Sequence, residues 1–277
     1  MNFALHRSDP FRAAICSNEH WYGDGPPFLP ETFNAWSTSF RQSRTIHILR
    51  RDARRAFRGG DDLLGRQFEA LAKKLSNCKP HQRCGSLGCL KCLRAAQKAK
   101  AAASEICLRE IAQRQGPSKK LVMATCIPTW MRYEPAEFSS LVLADCNTWL
   151  EQCLKEQGLS RPMLGSIDIS WEKGFYQVHW HFATWTANRK RLRQRLKEIF
   201  PGDERYGRPV CVKRTYDRHF LLYTHKCIKS ADLLRRNRRG LSHLLVMLDR
   251  TDPMDLMLFN GLYARCRNGK LVVEQAA

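Results

Sequence analysis

Acidic residues are scarce in this chain: 26 Asp and Glu stand against 47 Lys and Arg in 277 residues, a formal net charge of +21. That imbalance points to a polyanionic partner, because each phosphate neutralised by Lys or Arg releases condensed counterions. Nucleic acid is the first candidate and an acidic membrane surface the second. Long apolar runs are missing too. Nothing approaches the roughly 20 consecutive apolar residues of a membrane span, so no membrane partner is expected. There is no Gly-x-x-x-x-Gly-Lys-Ser/Thr motif, so no built-in helicase is expected, and there is no internal repeat or low-complexity tract. The stretch Met1 to Arg7 turns polar too early for a signal peptide, so a cytoplasmic protein is expected. What remains is globular: 43% hydrophobic and 10% aromatic residues can fill one sizeable core or two modest ones.

Twelve cysteines would suit a disulfide scaffold only in a much shorter secreted chain. Eight are scattered singly through apolar segments, among them Cys107, Cys146 and Cys153, and read as reduced, buried, small hydrophobes. Cys78, Cys84, Cys89 and Cys92 differ, since they fall within fifteen residues with five, four and two residues between successive members. Four thiolates close a tetrahedral zinc shell, and Cys89-Leu90-Lys91-Cys92 has the usual knuckle spacing. Gly85, Ser86 and Gly88 supply turns between them, and His81 is an alternative to Cys78. With no ligand position left open, the zinc would be structural.

Residues 1 to about 60 read as an extension of unknown role that ends in a basic stretch, Arg50 to Arg58. A short helix over 61–76 precedes the cysteines, and an Ala/Lys/Arg/Glu-rich helix runs from Leu93 to Gln115 and stops at Gly116-Pro117, a candidate domain boundary. Beyond it the pattern changes. Leu121 to Ile127 is apolar enough for a central strand covered on both faces. A helix with Phe138, Leu141, Val142, Cys146, Trp149, Leu150, Cys153 and Leu154 at helical spacing ends at Gly158. Two strands follow, 163–171 and 175–185, then a basic helix 188–200, a strand 209–213, a helix from Asp217 to about Arg236 and a tail with a terminal strand.

Within the second of those paired strands, His179 and His181 lie one residue apart and project from one face, while Tyr176, Val178, Trp180 and Phe182 form the apolar other face. Lys173-Gly174 is the expected two-residue hairpin turn. That turn opposes Ile169 to Val178, Ile167 to Trp180 and Asp168 to His179, so patterning alone brings a carboxylate beside two imidazoles. A His-x-His pair by itself more often decorates a solvated strand face than binds a metal. The aligned Asp168 shifts the balance toward a catalytic divalent cation such as Mg2+ or Mn2+, with Glu172 as reserve ligand.

Tyr223-Thr224-His225-Lys226 falls in the helix beginning near Asp217. Phe220, Cys227, Ile228, Ala231 and Leu234 mark its buried stripe, and Tyr223 is expected on that stripe, facing the sheet. Lys226 is its neighbour, where a cation favours phenolate and can contact phosphate. An aromatic on a helix stripe is usually core; the order of hairpin, basic helix and Tyr-x-x-Lys helix points instead to chemistry.

That order resembles the HUH endonucleases, most closely the rolling-circle replication initiator (Rep) proteins of plasmids. His179-Trp180-His181 and Tyr223-Thr224-His225-Lys226 match the family's metal and nucleophile motifs, Val122 to Cys126 resembles its first strand motif, and the cysteine cluster resembles one found upstream of the core in one Rep branch. The resemblance covers residues 78 to about 230. Two departures stand out: Asp168 replaces a frequent Glu, and Cys227 occupies a position where a second aromatic is common, which favours a single-tyrosine enzyme.

The resemblance implies an α+β fold with a central antiparallel β-sheet flanked by helices, preceded by a small zinc-binding helical module. It divides the chain into an extension (1–60), a zinc module (61–117), an endonuclease core (118–240) and a C-terminal segment packed on the core (241–277). It implies that Tyr223, aided by Lys226, attacks single-stranded or hairpin-extruded origin DNA near a metal held by His179, His181 and Asp168, leaving a 5′-phosphotyrosine and a free 3′-OH. Arg189, Lys190, Arg191, Arg193, Arg235 and Arg236 would hold DNA, unless they are ordinary solvated helix faces. Host helicase and polymerase are the further implied partners. An HUH-type transposase and a non-catalytic zinc-containing nucleic-acid-binding regulator are the alternatives.

Overall fold

A computed structural model describes residues 35–79, 82–116, 118–135, 137–159, 161–202, 208–214, 219–225, 240–267 and 270–275. In chain order their elements are α1 (Ala35–Arg58), α2 (Asp62–Ser76), α3 (Leu90–Arg114), β1 (Lys120–Cys126), β2 (Arg132–Tyr133), α4 (Ser140–Glu156), β3 (Met163–Glu172), β4 (Phe175–Thr186), α5 (Arg189–Ile199), β5 (Val210–Arg214), α6 (His219–Thr224), α7 (Leu241–Arg250), β6 (Met257–Asn260), β7 (Leu262–Arg267) and β8 (Lys270–Gln275). The described residues divide into two compact units, drawn from 1–96 with 230–253 and from 97–229 with 254–277.

The first unit is helical. In α2, Asp61 accepts a hydrogen bond from the Leu64 amide at 3.0 Å and caps the helix. Phe68, Leu71, Ala72 and Leu75 then recur at helical spacing and are buried. The extension expected over residues 1 to 60 contains a 24-residue helix, α1. Its buried positions are Gln42, Thr45, Ile48, Leu49 and Ala53. Two polar residues stand where a hydrophobic stripe would be read, so the period is hidden in the sequence. In α7, Leu241, Leu244, Leu245 and Leu248 are buried. Ser242 donates to Asp52 at 2.8 Å, and Lys74 pairs with Asp249 at 2.6 Å.

The second unit is built on an antiparallel sheet of six strands in the order β5-β1-β4-β3-β6, with β2 also paired to β4. The fold is thus α+β, a mostly antiparallel sheet flanked by helices, as expected. The β3/β4 hairpin turns at Lys173 (φ 49°) and Gly174 (φ 96°), the pair of positive φ angles that a tight I′ turn demands. The register is the expected one: Asp168 opposes His179, Ile167 opposes Trp180 and Ile169 opposes Val178.

One sheet face is core. Val178, Trp180, Phe182, Ile167 and Ile169 are wholly buried there. Trp149 of α4 and Phe200 pack on Trp180 with ring centroids 6.0 and 5.8 Å away. The Trp180 indole N–H donates to Asn147 at 2.9 Å, and Asn147 in turn donates to the carbonyls of Asp255 and Met257, tying α4 to the entry of β6. The opposite face carries the histidines. On β1 that face holds Leu121, Met123 and Thr125, which are half-buried, whereas Val122, Ala124 and Cys126 are fully covered. The strand expected to be covered on both faces is therefore covered fully on one.

Candidate active site and metal centres

Both pairings of β4 run without a bulge, from Lys120↔Thr186 to Cys126↔Trp180 on one side and Met163↔Thr184 to Glu172↔Phe175 on the other. Alternation is therefore strict, and His179, His181, Asp168, Ser166 and Thr125 share one face. The imidazole Nε2 atoms of His179 and His181 converge on Asp168 Oδ2, at 3.1 and 3.4 Å. All three side chains are buried. Ligand atoms about 2.1 Å from a shared ion would sit ~3 Å apart at right angles and ~3.4 Å apart at tetrahedral angles, so these spacings fit a shared cation of either geometry. Thr125 Oγ1 lies 2.9 Å from His181 Nδ1, the outer hydrogen bond that orients a ligating imidazole. His179 Nδ1 is buried with no hydrogen-bond partner among the described residues. Glu172 sits exposed at the hairpin end, takes a hydrogen bond from Ser170 at 3.3 Å, and is not part of the cluster.

The backbone of β3 presses hard on this site. A Cβ on Gly165 would strike the His181 carbonyl oxygen and come within 2.5 Å of Phe182 Cα, so only glycine lets β3 lie this close to β4.

Tyr223 stands beside the triad, its ring centroid 4.6 Å from that of His181 at an interplanar angle of 60°. The expected buried position is corrected: the side chain is 46% exposed, and Leu221, Thr224 and His225 fill the buried positions instead. Polar residues at two of those three positions rotate the stripe away from where hydrophobicity alone puts it.

Two side-chain hydrogen bonds hold this segment, neither of which the sequence announces. Ser166 Oγ, two residues before Asp168, donates to the Thr224 carbonyl at 2.6 Å. Ser104 Oγ donates to the Lys100 carbonyl at 2.7 Å and lies 2.6 Å from His225 Nε2. Since that hydroxyl has one proton and gives it to the carbonyl, His225 must be the donor, with its proton on Nε2. Burial, reinforced by the Lys100 charge, pushes the His225 pKa down from 6.5 to about 3, so the ring is neutral. These partners are 121 and 58 residues apart in sequence, which is why no local signal marks them. Lys226, Arg235 and Arg236 lie outside the described residues.

In the first unit the four cysteine sulfurs come together, all within 4.8 Å of one another. Cys92 Sγ is 3.6 Å from both Cys78 and Cys84. Corners of a tetrahedron with Zn–S of 2.3 Å are ~3.8 Å apart, so the set fits a four-coordinate metal. Hydrogen bonds from the Cys89 and Cys92 thiols pull Cys84 down to about 2, and the Cys89 hydrogen bond pulls Cys78 down to about 6. The same hydrogen bonds and burial push Cys89 and Cys92 up. Buried Gln42 braces the cluster, donating to Cys89 Sγ at 3.2 Å and accepting from the Leu90 amide at 2.9 Å. His81 lies outside the described residues, and Cys78 takes its place in the set. Among the described single cysteines, Cys107, Cys126 and Cys146 are buried as expected, and burial pushes Cys107 up to about 11, whereas Cys153 and Cys211 are only half-buried.

On α5, Asn188 caps the helix by accepting from the Arg191 amide at 2.9 Å; Arg189, Lys190 and Arg191 are exposed and Arg193 is half-buried. No described helix is long and apolar enough to cross a membrane.

Fold and site together define an α+β chain with a buried two-histidine, one-carboxylate cluster beside an accessible tyrosine, and a separate four-cysteine cluster. No protein-family model, curated protein or solved structure matches the chain.

Proposed function

We propose that this chain is a DNA nicking and joining enzyme of the HUH type that initiates rolling-circle replication at a plasmid-like origin. The observation that carries the reading is Tyr223, half-exposed with its ring tilted against His181 at 4.6 Å, beside the buried Asp168–His179–His181 cluster. Asp168, His179 and His181 would hold Mg2+ or Mn2+, which when bound polarises a scissile phosphate. Tyr223 Oη attacks phosphorus, forming the Oη–P bond as the P–O3′ bond breaks; the phenolic proton passes to solvent and the departing 3′ oxygen takes one up. The product is a 5′-phosphotyrosine and a free 3′-OH, and the reverse step rejoins the strand. Ser166, Ser104 and His225 keep Tyr223 over the cluster, which is where orientation matters for in-line attack. Zinc in the four-cysteine cluster would organise the first unit, and the +21 charge would supply affinity for the polyanion.

Incubating the protein with single-stranded, origin-like DNA and Mn2+ and resolving the products on a denaturing gel tests this. The expected result is a covalent protein–DNA adduct that Tyr223→Phe abolishes. Absence of any adduct, or an adduct that survives Tyr223→Phe, would overturn it.

A further inference from the structure

Beyond the triad, the far end of β4 opens on a cleft of about 770 Å3 within the second unit. Lys119, Arg161, Arg191 and Arg195 line it, with Glu156 as the one carboxylate among the described lining residues and Trp185 as the aromatic wall. The cations are not spent on acids among the described residues. Lys119 donates to the Gln115 amide oxygen at 2.7 Å, Arg161 to the Trp185 carbonyl at 3.3 Å and Arg195 to the Gln157 carbonyl at 3.1 Å. Glu156 accepts from Gln152 at 3.0 Å along its own helix.

Arg161 and Arg191 are the pair of interest. Arg161 is half-buried, and its guanidinium pKa is lowered first by that burial and then by the Arg191 charge. Half-buried Arg161 and exposed Arg191 line the same cleft, and like charges on one wall are an arrangement that an incoming anion relieves. The first turn of α5, whose Arg191 amide is capped by Asn188, lies on the same wall with its dipole's positive end.

Trp185 supplies the second element. Because alternation along β4 is strict, its indole leaves the sheet from the face that carries His179 and His181. It lies four residues along the strand from His181, about 13 Å at the usual strand rise. A half-buried indole in a cleft lined by guanidiniums is the pairing that single-strand binders use, the ring taking a base and the cations its phosphates.

We propose that this cleft binds the sugar-phosphate chain of a single strand flanking the scissile bond, with Arg161 and Arg191 as phosphate ligands and Trp185 as a base platform. The proposal rests on the nicking function above, and it is tested through equilibrium binding without metal, so the two fail separately. Fluorescence anisotropy of a labelled single-stranded oligodeoxynucleotide against the full chain is followed across a salt series.

Loss of two phosphate contacts in Arg161→Gln/Arg191→Gln should flatten the plot of log affinity against log salt by roughly 1.4 and weaken binding about tenfold at moderate salt. The charge-preserving Arg161→Lys/Arg191→Lys should retain most of the slope, and circular dichroism checks that both variants fold. An unchanged slope in the Gln pair overturns the proposal even if the wild-type chain forms the adduct. A reduced slope sustains it even if no adduct forms. Displacement of the label by free deoxynucleotide as readily as by unlabelled oligonucleotide would assign the cleft to free nucleotides and overturn the strand reading.

Discussion

Ser104 and His225 show how a single hydroxyl proton constrains a site. Ser104 gives its proton to a carbonyl, so the buried imidazole must donate to the serine. Ser104→Ala removes that acceptor and leaves a buried N–H unsatisfied, at a cost of about 1–3 kcal/mol. Urea unfolding should report the loss, and adduct formation should slow as Tyr223 loses its seat. The pH dependence has a definite sign. His225 is held near 3 when folded against 6.5 ordinarily, so between those values the unfolded chain binds the extra proton. Its contribution is full above about 6.5 and is lost as pH falls toward 3. His243, lowered chiefly by burial, acts in the same direction. Thermal melts from neutral to acidic pH should therefore show falling stability, and His225→Gln, which keeps a donor for Ser104, should flatten that fall.

The β3/β4 hairpin carries the site because two constraints agree on one register: the I′ turn at Lys173-Gly174 and the requirement that Ile167, Ile169, Val178 and Trp180 share the core face. Both are local, so Asp168 beside His179 is legible from the residues alone. The close approach at Gly165 is not, since it depends on what lies across the strand. Gly165→Ala should force the His181–Phe182 backbone away, costing about 1–3 kcal/mol as overpacking does and weakening Mn2+ binding measured by calorimetry. A variant that binds Mn2+ as tightly as the parent would contradict that placement. Helix α1 and the Tyr223 segment were harder to read for one shared reason. Gln42, Thr45, Thr224 and His225 occupy buried positions, and a pattern search that equates burial with apolar side chains passes over them.

Each of the two compact units has its own candidate metal cluster, and the donor sets differ in kind: four thiols in one, two imidazoles and a carboxylate in the other. Soft thiolates select zinc while the mixed nitrogen and oxygen set leaves room for Mg2+ or Mn2+. Elemental analysis should accordingly find one zinc per chain, lost in Cys84→Ser, with the melting temperature falling when a chelator strips it; a metal-free chain of unaltered stability would sink the assignment. The antiparallel hairpin, its core face and its ligand register follow from alternation and turn chemistry, which act between neighbours along the chain. The four cysteines are likewise marked by their spacing. The exposure of Tyr223, its two-bond mooring, the Gln42 brace and the sharing of one cleft by Arg161 and Arg191 depend on segments tens of residues apart, and packing in three dimensions brings them together.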